Sequence, residues 1–248
     1  MSERILIVGA TSGIGRALSR AFASAGSELV LAGRDEDALS RIASDARLRS
    51  GRRAAVETFD AAATGTHEAF LDACAAHLDG FDGVVLCHGA MVEQADAERD
   101  PEPALAMFAV NVTGTVSLLE RIARRFESGA FAAGGFVAAL GSVAGDRGRR
   151  RNYLYGASKA ALATVLQGLR VRLTGLGVSV TEIRPGPVDT RMTFGRGLPG
   201  TASPERVARD VVRAVRRRRS VAYTPWPWRW VMWVVRVLPA GWVARLDR

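Results

Sequence analysis

Tyr155 and Lys159 stand four residues apart in the stretch NYLYGASKAAL, residues 152–162. On a helix that spacing stacks two side chains on one face, within reach of a common ligand. A phenol titrates near pH ~10, too high for proton shuttling at neutral pH, and an adjacent ammonium favours the phenolate and lowers that value. Lys159 supplies such an ammonium, and it is the single lysine among 34 Lys plus Arg residues. A genome rich in G and C drifts from lysine to arginine wherever the two are interchangeable, so a lone survivor marks a place where they are not. Arginine is a planar fork that keeps its proton, whereas lysine is a compact ammonium of tunable pKa.

A second chemical feature lies near the N-terminus. The run Gly9-Ala-Thr11-Ser12-Gly13-Ile14-Gly15 follows an apolar stretch and opens a helical pattern. Glycines let a backbone turn tightly and approach a pyrophosphate, and a helix N-terminus offers unpaired N–H groups and positive potential. Its spacing is not GxGxxG, and alone it also suits a plain tight turn between strand and helix.

The elements that must position these residues alternate along the chain. ILIVGA (5–10), ELVLAG (28–33), AAVETF (54–59), GVVLCHG (83–89), GFVAAL (135–140) and VSVTEI (178–183) are apolar runs of strand length. Between them GIGRALSRAFASAG, DEDALSRIASDARLRSG, THEAFLDACAAHL, ALAMFAVNVTGTVSLLERIARRF and YGASKAALATVLQGLRVRLTGLG carry apolar residues at helical spacing. The pattern predicts an α/β fold, a doubly wound parallel sheet with helices on both faces. Ligands of such sheets bind at the carboxyl ends of strands, where the strand order reverses.

Composition narrows the function. A chain of 248 residues, 48% hydrophobic, supports one large core or two small ones. MSERILIVGA lacks the charged start and cleavage site of a signal peptide, which places the protein in the cytoplasm. Cys74 and Cys87 lack metal-type spacing and read as buried, reduced thiols, so no metal site is expected. The net charge of +9 would suit a nucleic-acid binder, but the arginines are spread along helices and no nucleic-acid module is present. The excess charge calls instead for an acidic partner or a negatively charged surface.

Taken together, Gly-xxx-Gly-Ile-Gly after the first strand, Asn111 in a mid-chain helix, Ser142 after the fifth strand and Tyr155-xxx-Lys159 resemble the short-chain dehydrogenase/reductase family. The resemblance covers residues 1 to about 224. It implies a Rossmann-like sheet of seven strands, a nicotinamide dinucleotide, and hydride transfer between that cofactor and a carbonyl or alcohol. It further implies that Lys159 bonds the nicotinamide ribose and relays protons with Asn111. In the reductive direction Tyr155 would protonate a carbonyl oxygen that the Ser142 hydroxyl holds. Against this stand a surface tyrosine, a serine in the turn GSVAG, and an asparagine bonded only to backbone.

By the same resemblance, Pro185 and Gly186 form the turn after the sixth strand, Val188 offers backbone to the nicotinamide amide, and Thr190 caps the phosphates. Asp60 would contact the adenine, and Gly89 would lie in the cofactor crevice. Gly33 takes the place where an NAD site carries an acid, with Arg34 next to it. That favours NADP(H), with NAD(H) as the alternative, unless Arg34 pairs with Asp35 or Asp37. One departure is Leu86-Cys87-His88-Gly89, where the family carries Asn-Asn-Ala-Gly. It removes two bracing asparagines and puts a titratable His88 at the crevice, to act in a proton path or to pack against backbone. His67 and His77 read as structural.

Three segments bear on substrate choice. TRMTFGRGLPGTA suits a mobile lid. DRGRRR offers Arg147, Arg149, Arg150 and Arg151, either as a clamp for a substrate phosphate or carboxylate or as a solvated loop. The tail, residues 225–248, lies beyond the 1–224 reductase domain and is no domain of its own; it holds all five tryptophans. Arg229 and Arg236 share one helical face there, and Trp230, Trp233, Val234 and Val237 line another. This suits either a helix lying at a membrane interface or a contact between subunits of a homo-oligomer, a dimer or tetramer. Basic loop and tail together resemble the branch of the family that includes the reductase subunit of decaprenylphosphoryl-ribose 2′-epimerase. That branch implies a lipid-linked 2-keto pentose, a peripheral place on the cytoplasmic membrane face, and a separate flavin oxidase that supplies the ketone. A soluble ketone or 3-oxoacyl substrate, and a non-catalytic dinucleotide sensor, are the rival readings.

Overall fold

The computed structural model describes residues 2–193, 200–239 and 241–242. Seven parallel strands form one sheet in the order β3-β2-β1-β4-β5-β6-β7. They are β1 Arg4–Val8, β2 Glu28–Gly33, β3 Ala54–Thr58, β4 Gly83–Leu86, β5 Phe136–Leu140, β6 Ser179–Pro185 and β7 Val221–Thr224. The inner strands are apolar on both faces because helices cover both: β1 from Ile5 onward, β4 and β5 are buried throughout. The first and fourth strands end earlier than their apolar runs suggest. Ala10 and the segment Cys87–Gly89 leave the sheet to build the crevice. The seventh strand falls outside the six runs read from the sequence, being four residues long and half-exposed at the sheet edge.

The helices divide into two layers. On one face α1 (Gly13–Ser24), α2 (Glu36–Ser50) and α8 (Pro204–Arg216) enclose a core containing Leu18, Phe22, Leu39, Val207 and Val211. On the other, α3 (His67–Leu78), α6 (Thr115–Glu127) and α7 (Tyr153–Leu173) pack Leu71, Leu118, Ile122, Leu162 and Leu166 on the sheet. Side-chain caps set where several helices begin. Ser12 accepts from the Gly15 N–H at 2.9 Å, Asp35 from Ala38 at 2.9 Å, and Ser203 from Arg206 at 3.2 Å.

The long helical pattern from 104 to 126 runs as one helical stretch, Glu102–Glu127, with a change of winding inside it. Short helices α4 (Gln94–Arg99) and α5 (Glu102–Phe108) lead into a wider π-helical turn, Ala109–Gly114, before α6 starts. Such turns frequently sit at functional sites because they re-aim one side chain, and here that side chain is Asn111. Gly114 permits the geometry, for a Cβ at that position would lie 1.9 Å from the Ala61 carbonyl oxygen. After β7 the chain forms α9, Trp228–Val237.

The strand order reverses between β1 and β4. The crevice above their carboxyl ends is therefore where a ligand of this sheet is expected.

Candidate active site

The glycine turn lies at that crevice. Gly9 has φ +86°, a left-handed conformation natural to glycine, and a Cβ there would sit 2.5 Å from the His88 nitrogen. A Cβ on Gly15 would lie 2.3 Å from the Gly9 oxygen, so the loop closes tightly onto α1. The first-turn N–H groups of α1 have no intrahelical acceptor and offer an anion site. Thr190 closes the loop from the other side: its methyl lies 3.1 Å from where a Gly13 Cβ would be. Thr190 is held by Thr193, whose hydroxyl accepts from the Thr190 N–H at 3.2 Å and donates to the Val188 carbonyl. A parallel bridge from Val188 to Ala202 fixes the base of the following loop; the middle of the expected lid, 194–199, lies outside the described residues.

At the end of β2, Gly33 faces Thr11: a Cβ there would lie in ordinary contact with the Thr11 hydroxyl, at 3.4 Å. Asp35 is used as the cap of α2, and exposed Arg34 forms no ion pair among the described residues. Exposed Asp60, just beyond β3, accepts from the Ala62 N–H at 3.0 Å.

The chemical residues converge from three elements. Ser142 follows β5 and starts a 3₁₀ turn, Val143–Asp146. Two glycines let that turn press on α7: a Cβ on Gly145 would lie 2.9 Å from the Lys159 carbonyl carbon, and one on Gly156 2.7 Å from the Ala144 oxygen. Lys159 is buried, and its Nζ donates to the Leu140 carbonyl at 3.0 Å while lying 5.8 Å from the centre of the Tyr155 ring. Asn111 is buried opposite. Its amide nitrogen donates to the Ala90 carbonyl at 2.8 Å, and its oxygen accepts from the Ala90 N–H at 2.8 Å. The same nitrogen donates to Ser158 Oγ at 3.1 Å, and Ser158 donates to the Tyr155 carbonyl at 2.8 Å. Asn111 thus ties the loop after β4 to the turn of α7 that carries Tyr155. Gly89 lies between the pair, 3.4 Å from both the Lys159 Nζ and the Asn111 oxygen if a Cβ is placed on it.

Electrostatics differ from the simple expectation for the pair. Burial pushes the Tyr155 phenol up to about 12, with the Ser142 hydroxyl pulling it down. Burial pushes the Lys159 ammonium down to about 8, opposed by the charge of Glu182. The sequence spacing suggests a tyrosine lowered by its lysine. Here desolvation sets the direction, and the ammonium is directed to a backbone carbonyl instead.

Sequence reasoning missed a buried ionic cluster behind this site. Alternation on β6 sends Glu182 and Arg184 to one side, where two parallel bonds of 2.8 Å join them. Arg184 also donates to Asp146 and, at 3.0 Å, to the Tyr223 hydroxyl, which donates in turn to Asp146 at 3.0 Å. Burial opposes the charge of Arg184, yet its acidic partners raise its pKa overall. A Cβ on Gly141 would meet the Glu182 carboxylate at 2.9 Å, so the cluster underlies the residue before Ser142.

The departure at residues 86–89 is compensated. Cys87 is buried and donates its thiol to the Val8 carbonyl at 3.1 Å, replacing one lost brace across β1 and β4. His88 Nε2 lies 2.9 Å from the Thr115 hydroxyl, and its ring packs edge-on against Phe59. Burial, then Lys159 and His67, lowers its pKa to about 3, so the ring is held neutral at physiological pH. His67 is nearer the crevice than its place on α3 suggests, with its ring 5.0 Å from Phe59 and Nε2 3.4 Å from the Asp60 carbonyl. His77 pairs with Glu57 at 2.7 Å. Among the described residues no cluster suits a metal ion.

The basic loop is not uniform. Arg147 donates to backbone carbonyls at the end of α9, at 2.7 Å to Val235 and 3.2 Å to Arg236, and so has a partner other than substrate. Arg149 is half-buried, while Arg150 and Arg151 are exposed.

Residues 3–197 match the short chain dehydrogenase family. The chain is 37% identical over 238 residues to an uncharacterized oxidoreductase of Mycobacterium tuberculosis, covering 95% of this chain and 93% of that one. It is 33% identical over 224 residues to sulfoacetaldehyde reductase 2 of Chromohalobacter salexigens, covering 85% and 82%. A short-chain dehydrogenase from Sphingobium yanoikuyae, solved in complex with NADPH, superposes with a TM-score of 0.77 at 26% identity, covering 90% of this chain and 88% of that one. The chain belongs to the short-chain dehydrogenase/reductase family. It is an NAD(P)-dependent oxidoreductase, and the tight glycine turn, the amide-rich start of α1 and Thr190 opposite them fit a dinucleotide.

The central role of Asn111 is testable without a substrate. Asn111→Ala strands both polar groups of Ala90 and is expected to cost about 1–3 kcal/mol per unpaired group. Urea denaturation compared with wild type measures it.

Proposed function

We propose that this protein is an NADPH-preferring ketone reductase whose residues 1–224 form the reductase unit and whose tail, 225–248, serves substrate access. The observation that carries the reductase reading is geometric: the buried Lys159 Nζ lies 5.8 Å from the centre of the Tyr155 ring, and Asn111 holds the Tyr155 turn of α7 through Ser158. A bound nicotinamide dinucleotide supplies the hydride. Ser142 orients the carbonyl oxygen, Tyr155 donates a proton to it, and Lys159 replenishes that proton along the side held by Asn111. Gly9, Thr11, Ser12, Gly13, Ile14, Gly15, Asp60, Gly89, Pro185, Gly186, Val188 and Thr190 would line the dinucleotide. Arg34 would take a 2′-phosphate, which supports NADPH over NADH.

For the substrate, a ketone carried on a lipid, such as a polyprenylphosphoryl 2-keto pentose made by a separate flavin oxidase, accounts for the tail. Trp230, Trp233, Val234 and Val237 are 58%, 55%, 45% and 62% exposed on one face of α9. Tryptophans with flanking arginine suit a helix resting on an anionic membrane surface. Arg149, Arg150 and Arg151 would then face the phosphate. The sulfoacetaldehyde reductase relative favours a second reading, a small soluble carbonyl compound, in which the same apolar face packs between subunits.

The deciding assay is NADPH oxidation with a polyprenylphosphoryl 2-keto pentose in anionic vesicles beside a panel of soluble ketones. Turnover of the lipid-linked ketone is expected; turnover of soluble ketones alone would remove the membrane role. Because Lys159 loses its proton as pH rises through about 8 while Tyr155 stays protonated, ketone reduction is expected to fall across that pH and to be level just below it. Arg34→Ala is expected to raise the KM for NADPH about ten- to a hundredfold, the loss of a charged hydrogen bond, with the KM for NADH little changed.

A further inference from the structure

The helix α9 has ten residues, a length that is not stable as a helix alone in water. Contacts with the body of the enzyme hold it. Met232 is fully buried. Trp228 lies against the turn after β6, where a Cβ on Gly186 would be 2.2 Å from the indole nitrogen. Arg147 closes the far end, donating to the carbonyls of Val235, Arg236 and Leu238. These carbonyls end the helix and lack intrahelical donors, and a cation there also meets the negative end of the helix dipole.

The segments that α9 touches are those that carry the chemistry. Arg147 directly follows the 3₁₀ turn begun by Ser142, and its neighbour Asp146 belongs to the buried cluster with Arg184 and Tyr223. Gly186 belongs to the Pro-Gly turn. Asp146 therefore fastens the loop inward to β6 and β7, and Arg147 fastens it outward to the tail.

We infer that Arg147 is a positioning residue that latches α9 onto the catalytic loops, so that the aromatic tail is a fixed part of the substrate site. The kinetic part of the test rests on the proposed ketone reduction; the spectroscopic part does not. Since every tryptophan of the chain lies between 226 and 242, intrinsic tryptophan emission reports the tail alone. Arg147→Ala is expected to shift that emission to the red and increase its quenching by acrylamide, with Arg147→Lys in between. Met232→Ser should give the same change without touching Arg147. Ketone KM should rise about tenfold in Arg147→Ala, equally for neutral and anionic ketones. Emission and quenching identical to wild type, or a KM loss confined to anionic ketones, would overturn the latch, the second result assigning Arg147 to direct substrate binding. If the wild type reduces no ketone, the proposed activity fails and the emission comparison alone decides the latch.

Discussion

One buried ammonium organises this molecule. Lys159 is withdrawn from water, its Nζ bonded to the Leu140 carbonyl at the end of β5, and burial pushes its pKa down to about 8. A charge in such a place is costly unless its surroundings are fixed and polar. The surroundings here are fixed by close backbone approach: Gly145 and Gly156 let the Ser142 turn lie on α7, and Asn111 with Ser158 ties α7 to the loop after β4. The carboxylate of Glu182, kept in place by Arg184, opposes the loss of the lysine's proton. A guanidinium would need room for a planar fork and would not release a proton. That explains why a chain that otherwise uses arginine keeps a lysine here.

The same loops that fix the ammonium also fix the tail. Asp146 and Arg147 are adjacent in sequence and point to different structures, one to a buried ionic cluster and the other to the end of α9. Through them β6, β7, the Ser142 turn and the aromatic helix share one set of supports. The candidate site is thereby joined to a surface that the sheet itself does not require.

Much of this was legible in the residues, and the exceptions have physical causes. The inner strands β1, β2, β4, β5 and β6 announce themselves as apolar runs because both their faces are covered. Strand β7 does not, since an edge strand of four residues buries too little to leave a pattern. The glycine turn and the Tyr155–Lys159 pair are local in sequence, so their spacing carries the meaning. Asn111 is recognisable only by resemblance, for its partners are backbone groups 21 residues away and a serine 47 residues away. The Asp146–Arg184 pair is separated by 38 residues, and Arg147 meets carbonyls 88 and 89 residues further on. Backbone acceptors leave no trace in a sequence, which is why DRGRRR reads only as a clamp or a solvated loop while its first arginine is a helix cap. Burial likewise reverses the expected direction of the Tyr155 shift, and burial is a property of the fold.

The most direct test of the central claim is the rate of ketone reduction by Lys159→Arg at saturating NADPH, in protein whose circular dichroism matches wild type. A compact, proton-releasing ammonium as the organising group predicts a loss of at least about a hundredfold in kcat, on the scale of a lost proton-transfer group. A variant with kcat near that of wild type would show that positive charge alone suffices, and would contradict the account.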